Sequence, residues 1–276
     1  HDLLSMLSIR LLAGLSIGIF TFPLLAYLSG GAGYQQRVGW FAGFGSLGWF
    51  TGYLVGGLLS DWFWAFAVSG LFFLIGFLFS IRLGESPEAV VRIRSFWAVV
   101  RENSAVYTSY LLRHTGAQSM WIVFPLFLRE ELGASVFWIG LIMALNTGSQ
   151  FLFMGLIGRT AREGEGKRLL RAGLLLSAAV FAFYYLSSFH LQLIPVQLLL
   201  GIAWSSLYVG SLLHLLEKNV ERATSTGVLG STISLAAVIG PLSGGLISEF
   251  FGMRAVFLFA SALALAGLAV SKRIRS

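Results

Sequence analysis

Few side chains in this 276-residue chain have chemistry to offer, and most of those sit inside apolar surroundings. Arg113 and His114 are neighbours within the hydrophobic stretch Ala105–Leu128. His114, Gln118, Trp121 and Pro125 follow at offsets of 0, 4, 7 and 11, which places them on one face of a helix. Such a face can bind a solute, with His114 and Gln118 hydrogen-bonding it and Trp121 stacking on it. His114 is equally suited to a hydrogen bond between packed helices. Arg113 points off that face, toward Gly116 and Met120. It either brings a positive charge to a cavity or snorkels to the membrane surface. In the next apolar stretch Asn146 and Gln150 are four residues apart, with Met143 and Met154 on the same side. These amides suit either solute contact or interhelical bonding, and flexible thioethers adapt to variable apolar surfaces. Gln197 is of the same type. Arg10, inside the first apolar stretch, is read as a binding or gating residue, because a charge at the centre of a membrane helix costs at least about 2.5–3.5 kcal/mol. His214 is expected at the interface, at the end of its stretch.

Other chemistries lack their residues. There is no cysteine, and no two of the four histidines stand four apart as a helical metal pair would. No phosphate-cradling glycine loop with its lysine occurs, and no acid lies inside an apolar stretch to complete a Ser-His-acid set. The chain is therefore expected to have no catalytic residues, no metal and no cofactor.

The elements that must position these residues follow from composition. Hydrophobic residues make up 57% and charged residues 11%, with mean hydropathy +0.81; a soluble domain carries about 25% charge. A bilayer core needs roughly 20 apolar residues per helix. Nine spans are predicted: Leu3–Leu28, Val38–Ser60, Phe63–Ile81, Ala105–Leu128, Val136–Gly158, Ala172–Phe189, Leu191–Leu213, Gly227–Ile247 and Arg254–Val270. Fifteen Lys and Arg, among them Arg37, Arg94, Arg168, Lys218 and Lys272, fall on one side of this arrangement, against Arg129 and Arg254 on the other. The positive-inside rule makes the richer side cytoplasmic, C-terminus included. The net charge of +7 thus reads as topology rather than as a nucleic-acid surface. The class is all-α: a multi-pass plasma (inner) membrane protein whose first partner is the lipid bilayer.

The glycines repeat. In the second span Gly39, Gly48, Gly52 and Gly56-Gly57 recur as Gly227, Ala236, Gly240-Pro241 and Gly244-Gly245 in the eighth, all at an offset of 188. Asp61 and Glu249 share that offset, and Arg10 and Gly14 precede Gln197 and Gly201 by 187. Spans one to three therefore repeat as seven to nine, leaving four to six without upstream counterparts. On this spacing a parent protein with about 85–95 further N-terminal residues, holding three more helices, is expected.

These motifs resemble the major facilitator superfamily. The second span is similar to its antiporter signature, with Tyr53 at the proline position; the eighth keeps Pro241. Arg10 through Gly14, with Gly18 and Pro23, looks like its fourth-helix arginine motif, and Gly155 through Arg168 carries only the basic character of its gating loop. The resemblance implies helices four to twelve of that fold, the first three lacking. It divides the chain into the end of an N-terminal bundle (1–82), a cytoplasmic linker (83–104) and a C-terminal six-helix bundle (105–276). It also implies alternating-access transport, read here as proton-coupled efflux of small amphipathic molecules by a monomer. Uptake of sugars or organic anions is the alternative, and a non-transporting relic or scaffold is the alternative of another class. Asp2, Asp61, Glu130, Glu131 and Glu249 all lie at outer ends, so a coupling acid is expected upstream, with His114 the one deep group titrating near neutral pH. The topology makes a direct prediction. Single cysteines at Arg94→Cys and Arg168→Cys should be labelled from the same face of the membrane; labelling from opposite faces would contradict it.

Overall fold

With no water in a bilayer core, each backbone N–H and C=O must be satisfied within its own segment, and a helix does this. The computed structural model describes residues 3–58, 62–84 and 95–274, and these are helical nearly throughout. In chain order the helices are α1 (Leu3–Leu28), α2 (Tyr34–Leu58), α3 (Trp62–Ser80), α4 (Phe96–Glu102), α5 (Ser104–Glu130), α6 (Val136–Thr160), α7 (Gly166–Leu186), α8 (Leu193–Lys218), α9 (Arg222–Phe251) and α10 (Met253–Ser271). A 3₁₀ turn, His190–Gln192, leads into α8, and no strand occurs among the described residues. Helices α1, α6, α7, α8, α9 and α10 are each long and apolar enough to cross a membrane, and α3 contains a shorter apolar stretch, Phe66–Ser80. Large apolar side chains such as Leu12, Phe73 and Phe250 face outward, as lipid-facing residues do. The chain is a multi-pass helical membrane protein.

Several boundaries differ from the expected spans. Helix α7 starts at Gly166 rather than Ala172, and α9 runs over 30 residues rather than Gly227–Ile247. At 1.5 Å per residue α9 is about 45 Å long, longer than the hydrocarbon core, so its polar ends continue as helix into the interface. The short α4 lies in the expected linker. Asp61, Glu85, Pro87, Glu88, Arg92, Arg94 and Arg275 fall outside the described residues.

Helices α5 to α10 form one bundle. Helix α5 packs between α9 and α10, α7 between α8 and α10, and α6 against α8. Against this bundle α2 lies along α6 and touches α8, while α1 rests on α9. Apolar tails solvate helices as well as other helices do, so association relies on close packing at small residues. The seams fit that rule. A Cβ on Gly39 would come within 2.5 Å of Gly158 Cα, and one on Gly158 within 2.7 Å of Gln35 O, so α2 and α6 meet backbone to backbone. A Cβ on Gly116 of α5 would lie 2.8 Å from Ala260 Cα of α10, and one on Gly240 of α9 would lie 2.8 Å from Thr115 O of α5. Gly244 continues that seam against Ser119.

The repeated glycines therefore do not act alike. Gly39, Gly240 and Gly244 make close approaches. Gly48, Gly52 and Gly245 have no described atom within 4 Å. Helix α6 contacts α2 at Gly39, Gly43 and Phe50. A Cβ on Gly227 would make only ordinary contact with Phe22, at 3.7 Å. Gly56 and Gly57 stand in the last turn of α2, and Pro241 lies within α9. His214, near the end of α8, is buried against α7, because Gly166 lets α7 approach the backbone of α8 at that residue.

At one end of the molecule the α1–α2 turn is fixed by arginine. Arg37 Nε donates to Leu28 O at 2.9 Å and Nη1 to Ala32 O at 3.0 Å, while Nη2 reaches Gly30 O and Gly31 O. Tyr34 Oη donates to Glu217 Oε1 (2.6 Å), and Arg222 Nη1 to Ser29 O (3.3 Å), tying this turn to the junction of α8 and α9.

The seam between α2 and α6 predicts a contrast in stability. Gly39→Ala should lower stability by about 1–3 kcal/mol, the usual range for overpacking. Gly140→Ala, with no described atom near its added methyl, should be neutral or slightly stabilising. Thermal unfolding in detergent checks both, and equal melting temperatures would contradict the seam.

Candidate functional site

Where large side chains replace glycine along the helices, the backbones part. A cavity of about 1240 Å³ opens between α1 and α2 on one side and α5, α6 and α8 on the other, with Phe181 of α7 and Ile233 of α9 completing its wall. That is above the usual 300–1,000 Å³ of a small-molecule pocket. Arg113, His114, Gln118, Trp121, Asn146 and Gln150 all line it, together with Met143 and Met154. Gln197 lies behind Asn146, fully buried, and Arg10 is exposed on α1, away from the cavity.

The orientation of Arg113 differs from the expected one. Adjacent helix positions differ by 100°, which led to the reading that Arg113 leaves the His114 face. Its long side chain spans that angle and reaches the same cavity. It is 2% exposed, so it does not snorkel. Arg113 Nε donates to Ser177 Oγ of α7 at 2.9 Å. Its guanidinium carbon lies 5.0 Å from the Trp204 ring centroid and 5.4 Å from that of Phe181. Both contacts are in the range where an aromatic face attracts a cation.

His114 sits in a stack of rings. It lies 5.1 Å from Trp204 at an interplanar angle of 26°, and Trp204 lies 5.6 Å from Tyr208 at 5°. Tyr110 closes the other side of His114 at 5.7 Å. The Nε2 atoms of Gln118 and His114 are 3.2 Å apart, one turn along α5. The amide donates, which leaves the proton of a neutral imidazole on Nδ1, and Nδ1 is buried without a partner among the described residues. Trp121 stands edge-on to Phe124.

The amides form a chain through three helices. Ser46 Oγ of α2 donates to Gln150 Oε1 at 3.3 Å, Gln150 Nε2 donates to Asn146 Oδ1, and Asn146 Nδ2 donates to Gln197 Oε1 of α8 at 2.9 Å. Gln197 Nε2 ends the chain without a partner among the described residues. Asn146 and Gln150 thus bond between helices and face the cavity at once.

Sequence reading missed Ser46, Ser177, Phe181, Trp204 and Tyr208. Trp204 and Tyr208 carried a signal, an aromatic pair at helical spacing of four. Ser177 and Phe181 carried none, because they matter only through what α7 brings beside Arg113.

A polytopic helical membrane protein with a central cavity between two sets of helices is the class this geometry defines. The family model described as Major Facilitator Superfamily matches residues 106–275. The chain belongs to that superfamily, and transporters rather than enzymes are its class. The multi-drug resistance efflux pump PmrA of Streptococcus pneumoniae, in strains TIGR4 and R6, is 31% identical over 155 residues. That match covers 52% of this chain and 38% of the pump, so the aligned part is well under half of the relative's length. The human organic anion transporter MFSD10 (TETRAN) superposes with a TM-score of 0.73 at 19% identity, over 90% of this chain and 66% of that one. It shares the fold.

The amide chain predicts a further contrast. Asn146→Leu strands the carbonyl of Gln197 and the amide of Gln150, and a stranded buried group costs about 1–3 kcal/mol. Thr147→Val removes only a hydroxyl bonded back to Ala144 O. The first should lower the melting temperature by several degrees and the second by little; the reverse order would show that the chain carries no energy.

Proposed function

We propose that this protein is a secondary active transporter that moves small amphipathic molecules by alternating access, in the direction of export and coupled to protons. The cavity carries the reading. It lies between the two helix sets, it exceeds a drug-sized pocket, and its wall mixes aromatic rings and thioethers with a few fixed polar groups. Such a lining tolerates varied apolar shapes while orienting them. The partial match to an efflux pump supports export.

The rocking step has a physical basis in the seams. Glycine contacts such as Gly39 on Gly158 bring α2 and α6 together backbone to backbone, a contact about which the helices can pivot. The bonds of Tyr34 to Glu217 and of Arg222 to Ser29 tie the two helix sets together at one end. By the charge bias that end is cytoplasmic, and both bonds must break for the cavity to open there. His114 is the one histidine among the described lining residues, and we assign it to the proton path.

Reconstitution in proteoliposomes of the protein as its gene encodes it tests this. An imposed pH gradient should drive flux of at least one amphipathic dye from a panel, and a protonophore should abolish it. His114→Ala should flatten the pH dependence of that flux. Flux with an unchanged profile removes His114 from the proton path, and no flux with any dye overturns the transport reading.

A further inference from the structure

The charge lining the cavity is of one sign. Arg37 and Arg113 both face it, and no aspartate or glutamate is among the described residues that do. The two arginines are differently engaged. Arg37 spends its Nε and both Nη groups on carbonyls of the α1–α2 turn. Arg113 uses only Nε, on Ser177, and its four Nη hydrogens have no partner among the described residues.

An unpaired guanidinium in this setting is expensive. Coulomb energy grows as the dielectric falls, so a buried charge is normally matched by an opposite one. Neutral aromatic faces on Trp204 and Phe181 offset part of that cost. They also hold the guanidinium plane in place, and the bond to Ser177 fixes its rotation about the last torsion. What is left is a fork of N–H donors of fixed direction. The chemical partner that fits a fork is a carboxylate, which accepts two parallel hydrogen bonds.

The surroundings describe the rest of the ligand. Trp121, Trp40 and Phe44 line the same cavity as the arginine, along with Met143 and Met154. Flat rings and thioethers suit a planar apolar body. Gln118 and Gln150 add neutral polar contacts that carry no charge preference.

We propose that the cavity selects organic anions, specifically aromatic carboxylates, with Arg113 as the residue that binds the carboxylate and sets charge preference. The proposal deepens the transport reading and rests on it for its biological meaning, but binding can be measured without flux. A ligand pairing with Arg113 would neutralise the one arginine of the cavity that the described structure leaves without hydrogen-bond acceptors on its Nη groups. Release would then restore the uncompensated charge.

Isothermal titration of the purified protein with three probes of one shape tests the proposal at pH 7. These are 2-naphthoate, 2-naphthamide and 2-naphthylmethylammonium. The unaltered protein should bind naphthoate at least tenfold more tightly than the amide and the ammonium most weakly. Arg113→Gln should reduce naphthoate to the level of the amide while leaving amide affinity within about twofold. Arg113→Lys, which keeps the charge and loses the fork, should fall between. Equal binding of naphthoate and amide by the unaltered protein overturns the proposal without reference to any variant, and so does tighter binding of the ammonium. That result also covers the case of a carboxylate elsewhere in the protein already satisfying Arg113. Naphthoate preference retained in Arg113→Gln assigns selectivity elsewhere and overturns the role of Arg113. Anion-selective binding with no proteoliposome flux would uphold this site and sink the transport reading. Dye flux without naphthoate selectivity would do the opposite.

Discussion

Close approach of backbones at small residues is the constraint on which the arrangement depends. In lipid, burying a leucine against another helix gains little over leaving it in acyl chains. What distinguishes one helix arrangement from another is how many atoms come into contact and how well polar groups are paired. Gly39 against Gly158, Gly116 against Ala260 and Gly240 against Thr115 set which helices touch and where along their length. Each is a place where even a methyl group would collide with backbone. The cavity is the complement of these seams. It lies where Trp40, Phe44, Trp121 and Trp204 hold the helices apart.

The polar groups of the interior divide into two systems with different consequences. The chain from Ser46 through Gln150 and Asn146 to Gln197 ties α2, α6 and α8 together with neutral hydrogen bonds, so it joins the two helix sets at little electrostatic cost. The group around Arg113 belongs almost wholly to the α5–α10 bundle, through Ser177, Phe181, Trp204 and His114. A pivot between the two sets would disturb the first system and carry the second along intact. Under the transport reading proposed above, a binding residue held by one bundle beside a seam that can rearrange suits a site that persists while access to it changes.

Much of the fold was legible in the chain. Runs of about 20 apolar residues announced helices. Of the candidate site residues, His114, Gln118 and Trp121 were found together from their spacing, since offsets of four and seven on a helix fix a shared face. Helix periodicity failed for Arg113 because it describes where a Cβ points and not where a guanidinium several bonds further out arrives. Gly48 and Gly52 stand four residues apart with no described atom within 4 Å. Spacing shows that glycines share a face but not that a neighbour lies against it.

The sequence by itself determined that the chain lies in a membrane, which segments are helical and which residues are too costly to bury without a reason, because hydropathy, charge and period are local properties. Only the tertiary structure decided that Arg113 is held by Ser177 between Phe181 and Trp204, that Arg37 is consumed by the turn it closes, and that Asn146 bridges two helices. Those facts depend on which helices lie side by side. That is set by shape complementarity between segments far apart in the chain, which no local pattern records.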